Sequence, residues 1–384
     1  MEMKIGIMTF WWSKDNYGQL LQCYALQKYL QDMGHDAYLI RYLTDYDNIM
    51  KKTPFAPVPY IKKMLKALNP IKLYNYLCYK IKSMAVVREN RINDKRKFED
   101  FRKKYIKQSE KIYYSYDELK RNPPQADVYI VGSDQIWNPD AFLSKEKPMR
   151  AYFLDFGSPL TKRISYAPSF CQEKLSDEII NMITPLLQKF SYVSVREKPG
   201  INICKSCGID NVEWVPDPTM LLNADAYRAL YRNEVLEKTN KRYCFFYYLN
   251  NCCDFSFKTI YDWAKKKNLE IVYVSANLKI DKYKKTYATI PEWIYLLEHA
   301  EYVITNSYHC AVFSLLFEKK FGIISLSGEL VRLNDRLNSL FEQFQLEKRF
   351  LDSNFSVLDK EINWQFISEK FQILRDSCRL ADFI

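Results

Sequence analysis

The chain predicts an α/β protein built as two Rossmann-like domains facing across a cleft, and three observations predict it. Short apolar runs alternate with amphipathic stretches of helical length, the pattern of parallel strands joined by right-handed crossovers. That alternation runs through twice, with the proline-marked stretch "VPDPTMLL" between the two rounds, which reads as a hinge. The chain has 384 residues, 48 % of them apolar, long enough for two ordinary domains with sizeable cores.

The elements follow in order. "KIGIMTF" reads as a buried strand, Asn16 to Met33 as a helix, and "DAYLIRY" as the next strand. After a basic segment come the strands "DVYIVGS" and "RISYAP", the helix "SDEIINMITPLLQKF" and the strand "YVSVRE". The second round begins with the strand "YCFFYYL", a helix from Phe255 to Lys267 and the strand "EIVYVSA". It closes with the helix "PEWIYLLEHA", the strand "YVIT", a helix from Ala311 to Glu318 and the strand "FGIISL". Domain boundaries are expected at 1–215 and 216–362, with a helix over 363–384 packing back on the first domain. No internal sequence repeat is visible.

Composition excludes several classes. The N-terminus "MEMKIGIMTFWW" lacks the pattern of a signal peptide, and no apolar run is long enough for a transmembrane helix. The ten cysteines form no framework; Cys204 and Cys207 make a lone CxxC without the second Cys/His pair a zinc site needs. A cytoplasmic protein with reduced thiols and no metal is expected.

The formal charge is +11, and it is concentrated. From 60 to 107 there are fifteen Lys/Arg against four Asp/Glu, which leaves the rest of the chain neutral. Ile61, Met64, Leu65 and Leu68 share one helical face, and Leu73, Leu77, Ile81 and Met84 do so after Pro70. Such basic amphipathic helices suit an anionic surface, placing the protein peripherally at the inner membrane face. A solvated helical excursion on its own domain is the other reading. No motif accompanies the charge to make nucleic acid a partner.

In such folds ligands sit at the carboxyl ends of strands. Gly18 opens the first helix in "NYGQLLQ", and another glycine, Gly132, ends the strand run of "YIVGSDQIWN". Neither stretch is a dinucleotide or phosphate-loop motif. The second carries Ser133, Asp134, Gln135 and Asn138 beside Trp137, a mix of ring and hydrogen-bonding groups that suits a sugar. A well-satisfied structural loop is the plainer reading.

"ITNSYHCAVFSLLF" holds one of only three histidines. With "YVIT" as a strand, Asn306, Ser307 and His309 fall at the N-terminus of the next helix, where free backbone N–H groups make an anion site. A histidine there can hold a phosphate or move a proton; an N-cap cluster with a core histidine is the alternative. Lys319, Lys320, Arg332 and Arg336 follow, and Arg196 ends another predicted strand. Together they would converge on a strongly anionic ligand.

"NYGQLLQCYALQKYL", "VGSDQIWN", "ISYAPSF", "SVREKPG", "DPTMLL", "ITNSYHCAVFSLLFEKKF" and "LFEQFQLEKRF" occur in this order. Together they resemble the polysaccharide pyruvyl transferase family over about residues 4 to 350. The resemblance implies a GT-B-like fold and transfer of pyruvate from phosphoenolpyruvate to a sugar of a cell-surface polysaccharide or its lipid-linked precursor, as a cyclic ketal. In some members an arginine and a histidine two residues on bind phosphoenolpyruvate; here those positions are Ser307 and His309. Cys171 stands where a glycine is expected, and Arg196 where a binding arginine is implied.

On this reading His309 transfers a proton or orients phosphate, and Asp134 is the base. Arg196, Asn306, Ser307, Lys320, Arg332 and Arg336 hold phosphoenolpyruvate, with arginine favoured for bidentate contact. Asn16, Tyr17, Gly18, Ser133, Gln135, Trp137 and Asn138 form the acceptor side. Phosphoenolpyruvate is a co-substrate, and no cofactor is implied. Two other readings stand beside this one: a GT-B-type glycosyltransferase using a nucleotide sugar, and an inactive membrane-associated scaffold of polysaccharide assembly.

Overall fold

The computed structural model describes residues 1–43, 88–142, 146–234, 236, 241–249, 255–276 and 281–384. Most of the basic segment, including the amphipathic pattern from Ile61 to Met84, lies outside the described residues.

The first unit is a parallel sheet of β1 (Lys4–Met8), β2 (Asp36–Tyr42), β3 (Gln108–Tyr113), β4 (Val128–Val131) and β5 (Lys162–Ser165), in the order β3-β2-β1-β4-β5. A short parallel pair, β6 (Val193–Val195) and β7 (Val212–Trp214), continues beside it through a bridge between Ile164 and Tyr192. The second unit is a parallel sheet of β8 (Tyr243–Tyr248), β9 (Glu270–Ser275), β10 (Tyr302–Thr305) and β11 (Lys320–Ile323), ordered β11-β10-β8-β9. β1, β4, β8 and β10 lie inside their sheets, which is why they read as apolar runs without alternation.

Helix α1 (Tyr17–Asp32) joins the two units. Its buried residues run all round it, from Tyr17, Leu20 and Leu21 to Ala25, Leu26 and Leu30, as expected of a helix covered on every side. Leu26 and Leu30 pack with Ile5 and Ile7 of β1. Tyr17, Leu20 and Leu21 pack in a core with Phe245, Trp293 and Phe313 of the second unit. The Asn16 side chain caps the helix by accepting from the Gln19 N–H at 3.2 Å.

Three further helices bear on the site. α2 (Phe98–Tyr105) packs Phe98 and Phe101 on α1. α9 (Ile290–Glu298), with α3 to α8 preceding it at Tyr116–Arg121, Glu146–Tyr152, Asp177–Leu187, Lys198–Ser206, Ala224–Arg228 and Phe257–Lys266, contributes Trp293 to the shared core. α10 (Tyr308–Leu316) begins three residues earlier than its apolar run predicts. Ser307 is its cap, accepting from the Cys310 N–H at 3.4 Å, so His309 lies in the first helical turn.

α11 (Asp335–Gln343) follows a 3₁₀ segment over Gly328–Asn334. α12 (Trp364–Asp376) and a last turn at Leu380–Phe383 complete the chain. Phe383 stacks on Tyr192 with centroids 4.1 Å apart, and Leu380 joins the core around Ile5 and Ile7, so the end of the chain lies on the first unit. Cys204 and Cys207 are buried free thiols in the other core of that unit.

Candidate active site

Between the carboxyl ends of the two sheets lies a polar cavity of about 470 Å³. Trp12, Ser13, Asp15, Asn16 and Gln19, from the β1–α1 turn, form one wall, with Asp134 and Gln135 after β4. Leu249 after β8, Ser307, Tyr308 and His309 after β10, and Leu330, Leu333 and Arg336 form the other.

His309 is held from two directions and is 4 % exposed. Its ring lies against Gly18: a Cβ on that glycine would come within 2.3 Å of Nδ1 and 2.4 Å of Cγ. The glycine in "NYGQ" is therefore required by the approach of an imidazole, not by a turn. On its other side Nε2 faces the Asp217 carboxylate at 3.5 Å, longer than a good hydrogen bond. Among the described residues Nε2 has no hydrogen-bond partner.

Asp217 is fully buried. It accepts from Ser133 Oγ at 2.7 Å and Arg196 Nη1 at 3.1 Å, and from the Thr219 N–H at 3.0 Å and Thr219 Oγ1 at 2.7 Å. Burial works against its ionisation, but the His309 ring, the Arg196 guanidinium and these donors outweigh it and hold the carboxyl well below the usual carboxylate range. Arg196, 3 % exposed, also donates to Glu197 at 3.0 Å, and Tyr308 lies over its guanidinium at 4.8 Å. Burial opposes its charge, yet Glu197 and Asp217 keep it firmly protonated. With two carboxylates on it, Arg196 is already neutralised.

Asp134 is held with φ +78°, a conformation few residues other than glycine adopt without cost. A bridge to Pro168 fixes its backbone, and Gln19 Nε2 donates to its carboxylate at 3.4 Å. Ala167 and Cys171, also at positive φ, lie on the loop after β5 that carries Pro168. Backbone held in this region clusters at functional sites, and here it carries a carboxylate that lines the cavity.

Asp15 is the second carboxyl at the cavity. Burial raises its pKa, and the nearby Arg96 draws it only partly back. The turn that carries it is braced from below: Arg102 Nη1 donates to Trp11 O at 3.3 Å and Ser13 O at 2.7 Å, and Ser13 Oγ accepts from the N–H groups of Asp15 and Asn16. Arg96 donates to the carbonyls of Ser275 and Ala276 at the end of β9.

The structure sorts the residues expected from sequence. His309, Asp134, Asn16, Gln135, Ser307 and Arg336 line the cavity, and Gly18 carries the His309 ring. Asn306 accepts from the Leu249 N–H at 2.7 Å and fixes that wall. Ser133 and Arg196 stand behind His309 as partners of Asp217.

Other expected residues lie elsewhere. Trp137 is buried, stacked on Phe153 at 4.8 Å, with Nε1 donating to Tyr152 O. Asn138 holds its own loop by accepting from the Asp140 N–H. Tyr17 donates to Ala288 O and stacks on Trp293 in the shared core. Arg332 pairs with Asp140 across the cleft. Lys320 begins β11 opposite Tyr302, at the amino end of the sheet and away from the cavity, because the parallel strand carries it to the far edge.

Trp12, Asp15, Gln19, Tyr308 and above all Asp217 are site residues not expected from the sequence. The last has a signal: a charge between two prolines in the otherwise apolar "VPDPTMLL", a stretch that also reads as a hinge. Among the described residues no three His, Cys, Asp or Glu side chains gather as a metal site would require.

Two parallel α/β units that close a polar cavity between the carboxyl ends of their strands have the layout of GT-B-like enzymes. Within that layout the model of the family described as polysaccharide pyruvyl transferase matches residues 16–328, and the chain belongs to that family. No curated protein matches it significantly.

Among solved structures, the chain is similar to UDP-GlcNAc 2-epimerase from Neisseria meningitidis bound to UDP-GlcNAc, with 9 % identity, TM-score 0.46, and 98 % of this chain and 93 % of that one covered. A putative UDP-N-acetylglucosamine 2-epimerase from Listeria monocytogenes gives 9 % identity, TM-score 0.47, and coverages of 98 % and 92 %. The glycosyltransferase SnogD from Streptomyces nogalater gives 9 % identity, TM-score 0.40, and coverages of 98 % and 95 %. Likeness at this level says nothing about substrate.

Proposed function

We propose that the protein transfers pyruvate from phosphoenolpyruvate to two hydroxyls of a sugar in a cell-surface polysaccharide or its lipid-linked precursor, forming a cyclic ketal. One observation carries this reading beyond the family: His309, in the first turn of α10, opens on the cavity with Asp217 behind it. An imidazole backed by a buried carboxylate can accept a proton and remain charged without leaving its place. Phosphoenolpyruvate brings a phosphate of about −1.5 to −2 charge and a carboxylate, and the N–H groups of the first turn of α10 with Arg336 and His309 supply the opposite field. Arg196 contributes indirectly, because Glu197 and Asp217 already balance it.

The reaction protonates the methylene carbon of phosphoenolpyruvate, which makes C2 electrophilic. One sugar hydroxyl adds at C2 and gives up its proton, inorganic phosphate leaves with the C–O bond electrons, and the second hydroxyl closes the ketal. Asp15, whose burial favours the protonated form, supplies the acid beside the cavity. His309 and Asp134 take hydroxyl protons or protonate the departing phosphate. Water must be kept from the cationic C2, and the two-walled cavity limits its access.

Mass spectrometry of a lipid-linked oligosaccharide incubated with the protein and phosphoenolpyruvate tests the proposal. Addition of pyruvate with loss of water, and release of inorganic phosphate, is the expected result. Sugar transfer from a nucleotide sugar, with no reaction of phosphoenolpyruvate, would replace this reading by glycosyl transfer. Binding of neither donor would leave the scaffold reading.

A further inference from the structure

Trp12 sits on the lip of the cavity and is 40 % exposed. Among the described residues no aromatic ring packs on it, although its neighbour Trp11 is buried with Nε1 donating to Tyr42 O at 2.8 Å. A large ring left in water on a flexible loop would mean little. This one stands on a turn fixed by the buried Arg102 guanidinium, by the Ser13 hydroxyl and by Gln19 Oε1, which accepts from the Ser13 N–H at 3.1 Å. The ring is thus exposed and its backbone is not free to move, which is how a binding platform is made in advance of its ligand.

The groups sharing that wall are Asp15, Asn16, Asp134 and Gln135. All can accept hydrogen bonds from hydroxyls, and the two amides can also donate. We infer that Trp12 is the stacking platform of the acceptor subsite and that its ligand is a pyranose ring. A pyranose presents a face of C–H groups to an aromatic ring and hydroxyls at its edge to carboxylates and amides. A nucleoside base could stack on the same indole, but its diphosphate would then lie toward the Asp134 carboxylate, which repels anions. The anion-favouring groups, Arg336 and the first turn of α10, are on the opposite wall. The inference rests on the pyruvyl-transfer reading only in calling the sugar an acceptor.

Saturation-transfer NMR with a panel of methyl hexopyranosides, and separately with uridine monophosphate, tests it on the full chain without any donor. Wild-type protein should show transfer to at least one pyranoside. Trp12→Ala should lose it, and Trp12→Phe should keep most of it. In the pyruvyl-transfer assay Trp12→Ala should raise the acceptor KM by about tenfold, the scale of one lost stacking contact, and leave the KM for phosphoenolpyruvate within twofold. Unchanged pyranoside binding in Trp12→Ala overturns the inference, as does a wild-type protein that binds uridine monophosphate and no pyranoside, or neither. Pyranoside binding that depends on Trp12, with no pyruvyl transfer, supports the subsite and removes the pyruvyl-transfer reading instead.

Discussion

At the scale of single residues, the site is a set of charges whose surroundings push them apart. Asp217 is held ionised by His309, Arg196 and three further donor contacts, so replacing it by Asn leaves Arg196 and His309 facing a neutral amide inside the protein. Breaking a buried pair of this kind costs about 3–5 kcal/mol. Because the folded carboxyl lies below its unfolded value of about 3.9, its stabilisation is present above that pH and is lost as pH falls below it. Urea titrations should therefore show a large gap between wild type and Asp217→Asn at pH 7 that narrows below pH 4; a constant gap would mean that packing, not charge, is what the substitution removes. Asp15 has the opposite sign. Its folded value is raised, so full stability is present below the unfolded value and declines as pH rises through the folded one. Asp15→Asn should raise the melting temperature at neutral pH, leave it unchanged near pH 3.5, and reduce pyruvyl transfer; a lower melting temperature at neutral pH would place the Arg96 attraction above the cost of burial.

At the scale of elements, the meeting of α1 with α10 decides where the histidine stands. Gly18→Ala puts a methyl group into the His309 ring, and overpacking of that sort costs roughly 1–3 kcal/mol. An alanine in a helix otherwise gains up to about 1 kcal/mol over glycine. Gly18→Ala should thus destabilise the wild type and lower turnover. In a His309→Ala background the same change should be neutral or stabilising, and additive costs in that double-mutant cycle would show that the ring and the glycine do not meet. His309→Ala alone should reduce turnover by about 10²-fold or more, read in the same assay with the fold checked by circular dichroism. The sequence carried much of this geometry. The strands "DAYLIRY" and "YVIT" appear at their expected bounds, and Asn16 and Ser176 take the cap positions just before the helices they were expected to open. β3 gave no signal because it is an edge strand with polar, half-exposed residues. The contact of Gly18 with His309 was equally invisible, since it joins positions 291 apart in number and depends on how two helices cross. Trp137 looked like a sugar platform because a polar loop surrounds it; its ring turns inward to Phe153, while Trp12, in the plain run "FWWSKDN", turns outward.

At the scale of the whole molecule, charge and architecture divide the basic segment in two. Its described part serves the fold: Arg96 and Arg102 are buried on carbonyls of β9 and of the β1–α1 turn, Lys104 pairs with Glu234 and Lys107 with Asp36. The two arginines are thereby withheld from any surface, while the two lysines are exposed in their ion pairs. The unmixed charge lies in the stretch from 60 to 87, outside the described residues, with Lys62, Lys63, Lys66, Lys72, Lys80 and Lys82 and no Asp or Glu among them. Its six lysines interrupt every apolar run, so attachment through this stretch would be peripheral; among the described residues no helix is long and apolar enough to cross a membrane. A lysine near an anionic leaflet contributes about 1 kcal/mol, screened within a Debye length of about 8 Å at physiological salt. If this stretch meets an anionic leaflet, five such lysines would give reversible attachment, and replacing Lys62, Lys63, Lys66, Lys80 and Lys82 by Gln should release the protein from anionic vesicles. Binding of the wild type should fall steeply with salt. The substituted protein should turn over a lipid-linked acceptor in vesicles more slowly and a soluble sugar acceptor at the wild-type rate, because no residue of the cavity is changed. Sedimentation with phosphatidylglycerol vesicles at low and high salt measures the first effect, and the two acceptors measure the second. Failure of the wild type to sediment even at low salt would make the lysines a solvated face, and the acceptor would then have to reach the cavity without help from the membrane surface.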